Sequence, residues 1–143
     1  MNPDRPTFEH IYMNLAFDLS RRSTCRRMKV GCAIVSPDFT RVIAVGYNGN
    51  VPGGANDCDV HGPDAVGRCG CLHAEENAII NCDVPKETPK VLLCTHLPCV
   101  MCAKRIVRVG GVQRVIYATE YRNQDAVNIL RERGIEVHFQ EKA

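Results

Sequence analysis

The stretch that sets the fold is residues 91–118, VLLCTHLPCVMCAKRIVRVGGVQRVIYA. It predicts a buried strand over 91–94, a helix that Pro98 opens and that the glycine pair 110–111 ends, and a second strand over 112–118. A strand, a helix and a strand in succession are typical of two parallel strands joined by a right-handed crossover. This unit therefore predicts an α/β protein.

The rest of the chain extends this pattern on both sides. Apolar residues spaced as on one helix face predict a helix over 7–22, and two apolar runs predict a hairpin over 30–47. A helix over 73–83 precedes the crossover, and a helix over 124–133 and a strand over 135–139 follow it. The order α-β-β-α-β-α-β-α-β predicts a three-layer α-β-α fold around a five-stranded mixed sheet, with an antiparallel first hairpin.

Length and composition limit the class of protein. A chain of 143 residues suits a single domain, residues 1–143. Hydrophobic residues make up 45% and charged residues 24%, and no apolar run reaches the roughly 18 residues of a membrane helix. The polar start MNPDRPTFEH lacks a secretory signal, so a cytoplasmic protein with no membrane partner is expected. The net charge of +2 is too small to indicate a nucleic-acid partner.

The cysteines point to metal chemistry. Nine cysteines without a secretory signal favour metal binding or reduced thiols over disulfides. His73 stands at one predicted helix start, and Cys99 and Cys102 stand three residues apart at the next. Two thiolates and one imidazole make three ligands, the number found at a catalytic zinc whose fourth position is open to water. His73, Cys99 and Cys102 are therefore the predicted ligands of a catalytic Zn²⁺.

Glu75 is predicted to be the catalytic proton carrier. Residues two apart on a helix diverge by about 200°, so Glu75 should not join His73 as a ligand. It is placed to move protons between water, a ring nitrogen and a departing amine. Taken singly, the pieces also have structural interpretations: Cys-x-x-Cys occurs in zinc ribbons and redox pairs, and a histidine at a helix start is often a cap or a surface residue.

Jointly, His-x-Glu followed by Pro-Cys-x-x-Cys is the signature of zinc-dependent nucleobase deaminases. Together with Gly46-Tyr-Asn-Gly49 and the upstream Cys25, the chain resembles the cytidine deaminase superfamily and, within it, the deoxycytidylate (dCMP) deaminases. The resemblance implies zinc-dependent hydrolysis of a small-molecule nucleotide, dCMP, to dUMP and ammonia by a homo-oligomer such as a hexamer. The alternatives are a deaminase of another nucleotide, nucleoside or free base, and a non-catalytic zinc-binding module.

The resemblance also implies substrate contacts. Asn48 would bond the sugar or base edge, the Ala74 backbone amide would meet the base carbonyl, and Tyr121 would lie near the sugar-phosphate. Lys29 matches a family position near the active site. It belongs to a basic cluster that could attract a phosphate or simply be solvated, made up of Arg21, Arg22, Arg26, Arg27 and Lys29. Asn48 could instead be a turn residue of the Asn-Gly pair, and Tyr121 a capping or packing residue.

A second, structural zinc is expected in the irregular loop of residues 48–72. Such a long loop is uncommon in a compact domain, and a bound metal would explain how it stays ordered. Related deaminases carry a second zinc with ligands that match Cys25 and a position near Cys58. The expected set is Cys25, Cys58, Cys69 and Cys71, with His61 as a substitute. The other interpretation is free loop thiols, which are prone to oxidation where exposed.

Overall fold

The computed structural model describes residues 4–63, 69–120 and 124–142. Helices and strands alternate along these ranges in the expected order. The helices are α1 (Phe8–Ser20), α2 (Ala74–Ile80), α3 (Val100–Val109) and α4 (Gln124–Glu132), and the strands are β1 (Gly31–Val35), β2 (Val42–Tyr47), β3 (Lys90–Cys94), β4 (Val112–Tyr117) and β5 (Glu136–Phe139). Among the described residues, no helix combines the length and the apolar character needed to cross a membrane.

The five strands form one mixed sheet in the order β2-β1-β3-β4-β5. β1 pairs antiparallel with both β2 and β3, whereas β3 with β4 and β4 with β5 pair in parallel. The parallel pairs are the two whose strands a single helix connects, α3 and α4 respectively, because parallel neighbours need a crossover. The predicted α/β class with a five-stranded mixed sheet is confirmed.

Two apolar cores lie on opposite faces of this sheet. On one face, Met13 and Ala16 of α1 are fully buried against the strands. On the other, Ala78 of α2, Ile106 of α3 and Leu130 of α4 share a single buried cluster with the strands. Helices cover both faces, which gives the expected three layers. The three helices that share a face include both of those that carry the predicted zinc ligands at their starts.

Gly46 lets α2 lie directly on β2. A Cβ at this position would overlap the carbonyl oxygen of Ala74, so a larger residue would push the start of α2 away from the sheet. Asn77, in the middle of the helix, donates from Nδ2 to the carbonyl oxygen of Tyr47 at 2.9 Å. Close packing and this hydrogen bond together fix the position of α2, and with it the predicted site residues at its start.

The prediction that Pro98 opens α3 is wrong, since the helix begins at Val100. Cys99 is the N-cap residue in an extended conformation, with φ −71° and ψ 171°. Its Sγ accepts a hydrogen bond from the backbone N of Cys102 at 3.4 Å, so the thiol takes the role of a capping side chain. Only Cys102 lies within the helix, but the cap still holds the two sulfurs side by side.

Lys90 is fully buried at the start of β3, a position that the sequence pattern does not single out. Its Nζ donates to the carbonyl oxygens of Thr88 and Gly110 at 2.8 Å each, and lies 3.3 and 3.4 Å from those of Lys86 and Pro85. Gly110 ends α3, where a positive charge is favourable. The ammonium therefore joins the turn before β3 to the end of the helix that carries Cys102.

We expect Lys90→Met to lower the free energy of unfolding by about 2–4 kcal/mol, because methionine leaves buried carbonyl oxygens without a donor. Lys104→Met removes an exposed charge from α3 and is the matched control, with an expected change below about 0.5 kcal/mol. Urea unfolding followed by circular dichroism measures both variants. Equal stability of the two would contradict the structural role of Lys90.

Candidate active site

His73, Cys99 and Cys102 meet where α2 and α3 begin. His73 Nδ1 lies 3.2 Å from Cys102 Sγ and 3.5 Å from Cys99 Sγ, and the three possible ligand atoms all lie within 4.8 Å of one another. Tetrahedral zinc bonds of about 2.0–2.3 Å place nitrogen and sulfur ligands about 3.6 Å apart. The cluster, here called the His73 cluster, therefore has both the donor atoms and the spacing of a zinc site.

One member of the His73 cluster already carries a negative charge that favours a cation. Hydrogen bonds from Cys102 and then from His73 lower the pKa of Cys99 to about 3, so the thiolate is its stable form at neutral pH. The contact with Cys99 raises the pKa values of both His73 and Cys102. A divalent metal competes with protons for these two groups, because metal ligands bind in their deprotonated forms.

Glu75 is buried beside the His73 cluster, with only 4% of its surface exposed. Burial raises the pKa of its carboxyl group, and hydrogen bonds from its own backbone amide and from Cys102 act in the opposite direction. A carboxylate whose pKa is raised is a stronger base towards water than an ordinary carboxylate. The metal cluster does not include Glu75, which leaves its carboxylate available for proton transfer.

A cavity of about 520 Å³ opens onto the His73 cluster. This volume lies in the range of small-molecule sites. Its walls include the predicted site residues Asn48, Ala74, Glu75, His73 and Cys99. His96 and Leu97, which precede α3, line it as well; burial lowers the pKa of His96, so its imidazole is neutral at neutral pH. The predicted zinc ligands and the proposed proton carrier thus border a space that can hold a substrate.

The predicted substrate contacts differ in where the structure places them. Asn48 is buried at the cavity wall, where its Oδ1 accepts from Val30 N at 2.8 Å and its Nδ2 donates to Met28 O at 2.6 Å. These bonds fix the side chain, and a carboxamide retains a further N–H and lone pair for a ligand. Lys29 is exposed and donates to the Ser23 carbonyl oxygen at 2.8 Å, and it is not among the described lining residues.

Arginines line the cavity at positions that sequence reasoning did not single out. Arg27 belongs to the basic cluster from which the sequence favoured Lys29, and it is the member that reaches the cavity wall. Arg105 lies three residues after Cys102 on α3, a spacing that places two side chains on one helix face. From this spacing alone, Arg105 could have been placed beside the site in the sequence. Tyr121, the remaining predicted contact, lies outside the described residues.

Cys25, which lies between α1 and β1, joins the loop cysteines Cys58, Cys69 and Cys71 in a second cluster, here called the cysteine cluster. Cys25 Sγ lies 3.6 Å from Cys58 Sγ and 3.8 Å from Cys69 Sγ, and Cys58 and Cys71 are separated by 3.6 Å. Disulfide sulfurs are about 2.05 Å apart, whereas zinc–sulfur bonds of about 2.3 Å place tetrahedral ligands about 3.8 Å apart. His61 is not in the cluster; its Nε2 lies 2.9 Å from the Cys58 carbonyl oxygen.

The cysteine cluster also forms part of the cavity wall. Cys25, Cys69 and Cys71 line the same cavity as the His73 cluster. Paired backbone hydrogen bonds between Gly49 and Leu72, at 2.8 and 3.1 Å, close the base of the loop just before His73. The conformation of the loop therefore bears directly on the shape of the cavity.

The family model for the cytidine and deoxycytidylate deaminase zinc-binding region matches residues 6–119. The chain belongs to this family, and the predicted resemblance is confirmed. The deoxycytidylate deaminases of Schizosaccharomyces pombe and Saccharomyces cerevisiae are each 34% identical to it, over 96% and 93% of this chain. The chain spans less than half of their length, 46% and 45% respectively.

Solved structures agree with the family assignment. The dCMP deaminase of the cyanophage S-TIM5, crystallised in complex with dCMP and dUMP, aligns with a TM-score of 0.80 at 34% identity. The alignment covers 95% of this chain and 98% of that chain. The fold and nearly the whole length of the chain therefore match an enzyme of this family.

We expect Cys102→Ala to lose about one equivalent of zinc per chain, because the remaining imidazole and single thiolate bind the metal weakly. Cys82→Ala is the matched control, since Cys82 is partly buried like several ligands but belongs to neither cluster. Metal content after gel filtration measures both. Full zinc retention in Cys102→Ala would contradict the assignment of the His73 cluster.

Proposed function

We propose that this chain hydrolyses dCMP to dUMP and ammonia. The observation that carries the proposal is the match, over nearly the full length of both chains, to an enzyme crystallised with dCMP and dUMP. The name shared by the two yeast relatives supports the same substrate. The cavity volume and the buried Glu75 beside the His73 cluster are the features that this reaction needs.

The residues of the His73 cluster would hold the zinc, which when bound supplies an activated water for attack on C4 of the cytosine ring. Glu75 takes a proton from the water as the new C4–O bond forms, and passes it to N3 of the ring. It then transfers the second proton of that water to the exocyclic amine. The C4–N4 bond breaks, and ammonia and dUMP are released.

The cavity walls supply the groups that orient the nucleotide in this proposal. The backbone amide of Ala74, at the start of α2, is assigned to the base carbonyl, and the carboxamide of Asn48 to the sugar or base edge. Arg27 replaces Lys29 as the basic-cluster residue assigned to the phosphate, since it is the member of that cluster that lines the cavity. Tyr121 keeps its proposed place near the sugar-phosphate.

The proposal includes a second zinc in the cysteine cluster. Four sulfurs with neighbour distances of 3.6–3.8 Å support a structural site, in which all four positions are filled by protein. This zinc would hold the conformation of the loop of residues 48–72, which forms part of the cavity wall. A cytoplasmic location and a homo-oligomer remain part of the proposal. The exposed apolar side chains of Val42 on edge strand β2 and Ile80 on α2 support the homo-oligomer.

The purified chain should release ammonia from dCMP faster than from cytidine, cytosine, guanine or single-stranded DNA. Glu75→Gln should lower turnover of dCMP by at least about 100-fold while zinc content stays unchanged, because the amide cannot carry the proton. Glu87→Gln, an exposed change in the turn before β3, is the matched control. A coupled ammonia assay gives the rates. Preference for another substrate would overturn the dCMP assignment, and an active Glu75→Gln would overturn the role of the carboxylate.

We expect wild-type protein to hold about two zinc ions per chain and Cys58→Ser about one, because each cluster supplies a separate ligand set. The variant should also become more sensitive to limited proteolysis within residues 49–72, since the loop loses its central ligand. Cys82→Ser is again the control. One zinc in the wild-type protein, with an unchanged value in Cys58→Ser, would remove the second metal from the account.

A further inference from the structure

Arg105 contacts Cys102 directly and is linked to His73 through Glu76. Its Nη1 lies 3.9 Å from Cys102 Sγ, a long hydrogen bond to sulfur, and its Nε lies 3.3 Å from Oε2 of Glu76 on α2. The other oxygen of that carboxylate, Oε1, accepts from the backbone N of His73 at 3.2 Å. A continuous path of polar contacts thus runs from the sulfur of one predicted ligand to the backbone of another.

The path crosses between the two helices whose starts supply the ligands. Glu76 lies in the first turn of α2, and Arg105 lies one turn beyond Cys102 on α3. Their side chains are only 20% and 38% exposed, so the ion pair is partly shielded from water. Ion pairs of this kind contribute little to global stability. We therefore expect this ion pair to affect mainly the distance between the starts of α2 and α3.

We propose that Arg105 is a positioning residue of the zinc site, which with Glu76 fixes α2 against α3 and donates an N–H to the sulfur of Cys102. Two thiolates would neutralise the formal charge of Zn²⁺, and a guanidinium donor at one sulfur withdraws electron density from that ligand. Outer-shell donors of this type orient ligands and tune the metal. The inference rests on the proposed function only in taking the His73 cluster as the zinc site.

The position of Arg105 at the cavity wall suggests a second role, direct contact with a substrate phosphate. The contacts favour the positioning role, because the guanidinium already pairs with Glu76 and reaches the sulfur of Cys102. The two roles differ in what they change. A positioning residue alters the metal site and turnover, whereas a phosphate contact alters the KM of a phosphorylated substrate.

The test compares Arg105→Met, Arg105→Lys and, as a matched control, Arg108→Met, which removes an exposed charge one turn further along α3. Zinc affinity is measured by competition with a chromophoric chelator, and cobalt-loaded protein reports the thiolate-to-metal charge-transfer band. Difference spectra against wild type cancel the contribution of the cysteine cluster. Steady-state rates with dCMP give kcat and KM separately.

We expect Arg105→Met to weaken zinc binding by about 10-fold, to shift the cobalt charge-transfer band, and to lower kcat while KM stays within about two-fold of wild type. Arg105→Lys should give zinc affinity, cobalt spectrum and kcat between those of wild type and Arg105→Met. Lysine keeps the charge but loses the planar group that makes two contacts. Arg108→Met should match wild type in every readout.

A rise in KM for dCMP with wild-type zinc affinity and cobalt spectrum would overturn the proposal and assign Arg105 to the substrate. Wild-type values throughout would overturn it as well. If Arg105→Met fails to fold by circular dichroism, Arg105→Lys and Glu76→Gln decide the matter, since Glu76→Gln keeps an acceptor for His73 N but removes the ion pair. The metal readouts need no turnover, so a wrong substrate assignment leaves this test intact.

Discussion

The starts of α2 and α3 have to meet within bonding distance of one metal ion. His73 and Cys102 are 29 positions apart in the chain, yet Nδ1 and Sγ lie 3.2 Å apart. Gly46 allows α2 to lie close to β2, and Lys90 holds the end of α3 against the turn before β3. A displacement of about 1 Å at either helix start would exceed the tolerance of zinc–ligand bonds. The packing of the helices on the sheet and the chemistry of the cavity therefore depend on the same constraint.

The order of elements and the His73 cluster could be predicted because both leave local patterns in the sequence. The helical spacing of apolar residues indicates α1, and two short continuous apolar runs indicate the β1–β2 hairpin. The ligands fall at two helix starts, where a few adjacent residues define the motif. The cysteine set is predictable for two different reasons. A long irregular loop rich in soft ligands needs something to order it, and the resemblance to related deaminases supplies Cys25 and a position near Cys58.

The remaining features depend on geometry between elements, which a linear pattern does not contain. Whether Arg27 or Lys29 reaches the cavity depends on the path of the chain between α1 and β1. The pairing of Arg105 with Glu76 depends on how α3 lies against α2. The Sγ of Cys99 caps α3 by accepting a hydrogen bond from the Cys102 amide, so the helix begins after Cys99 and not at Pro98.

One cavity adjoins both clusters, the His73 cluster beside Glu75 and the cysteine cluster, and the central claim is the proposal that each cluster binds zinc. Diffraction from crystals of the zinc-loaded protein, collected on both sides of the zinc absorption edge, tests this claim most directly. The account predicts anomalous difference peaks at both clusters, with Glu75 outside the coordination sphere of the first. A map without a peak between His73, Cys99 and Cys102 would contradict it.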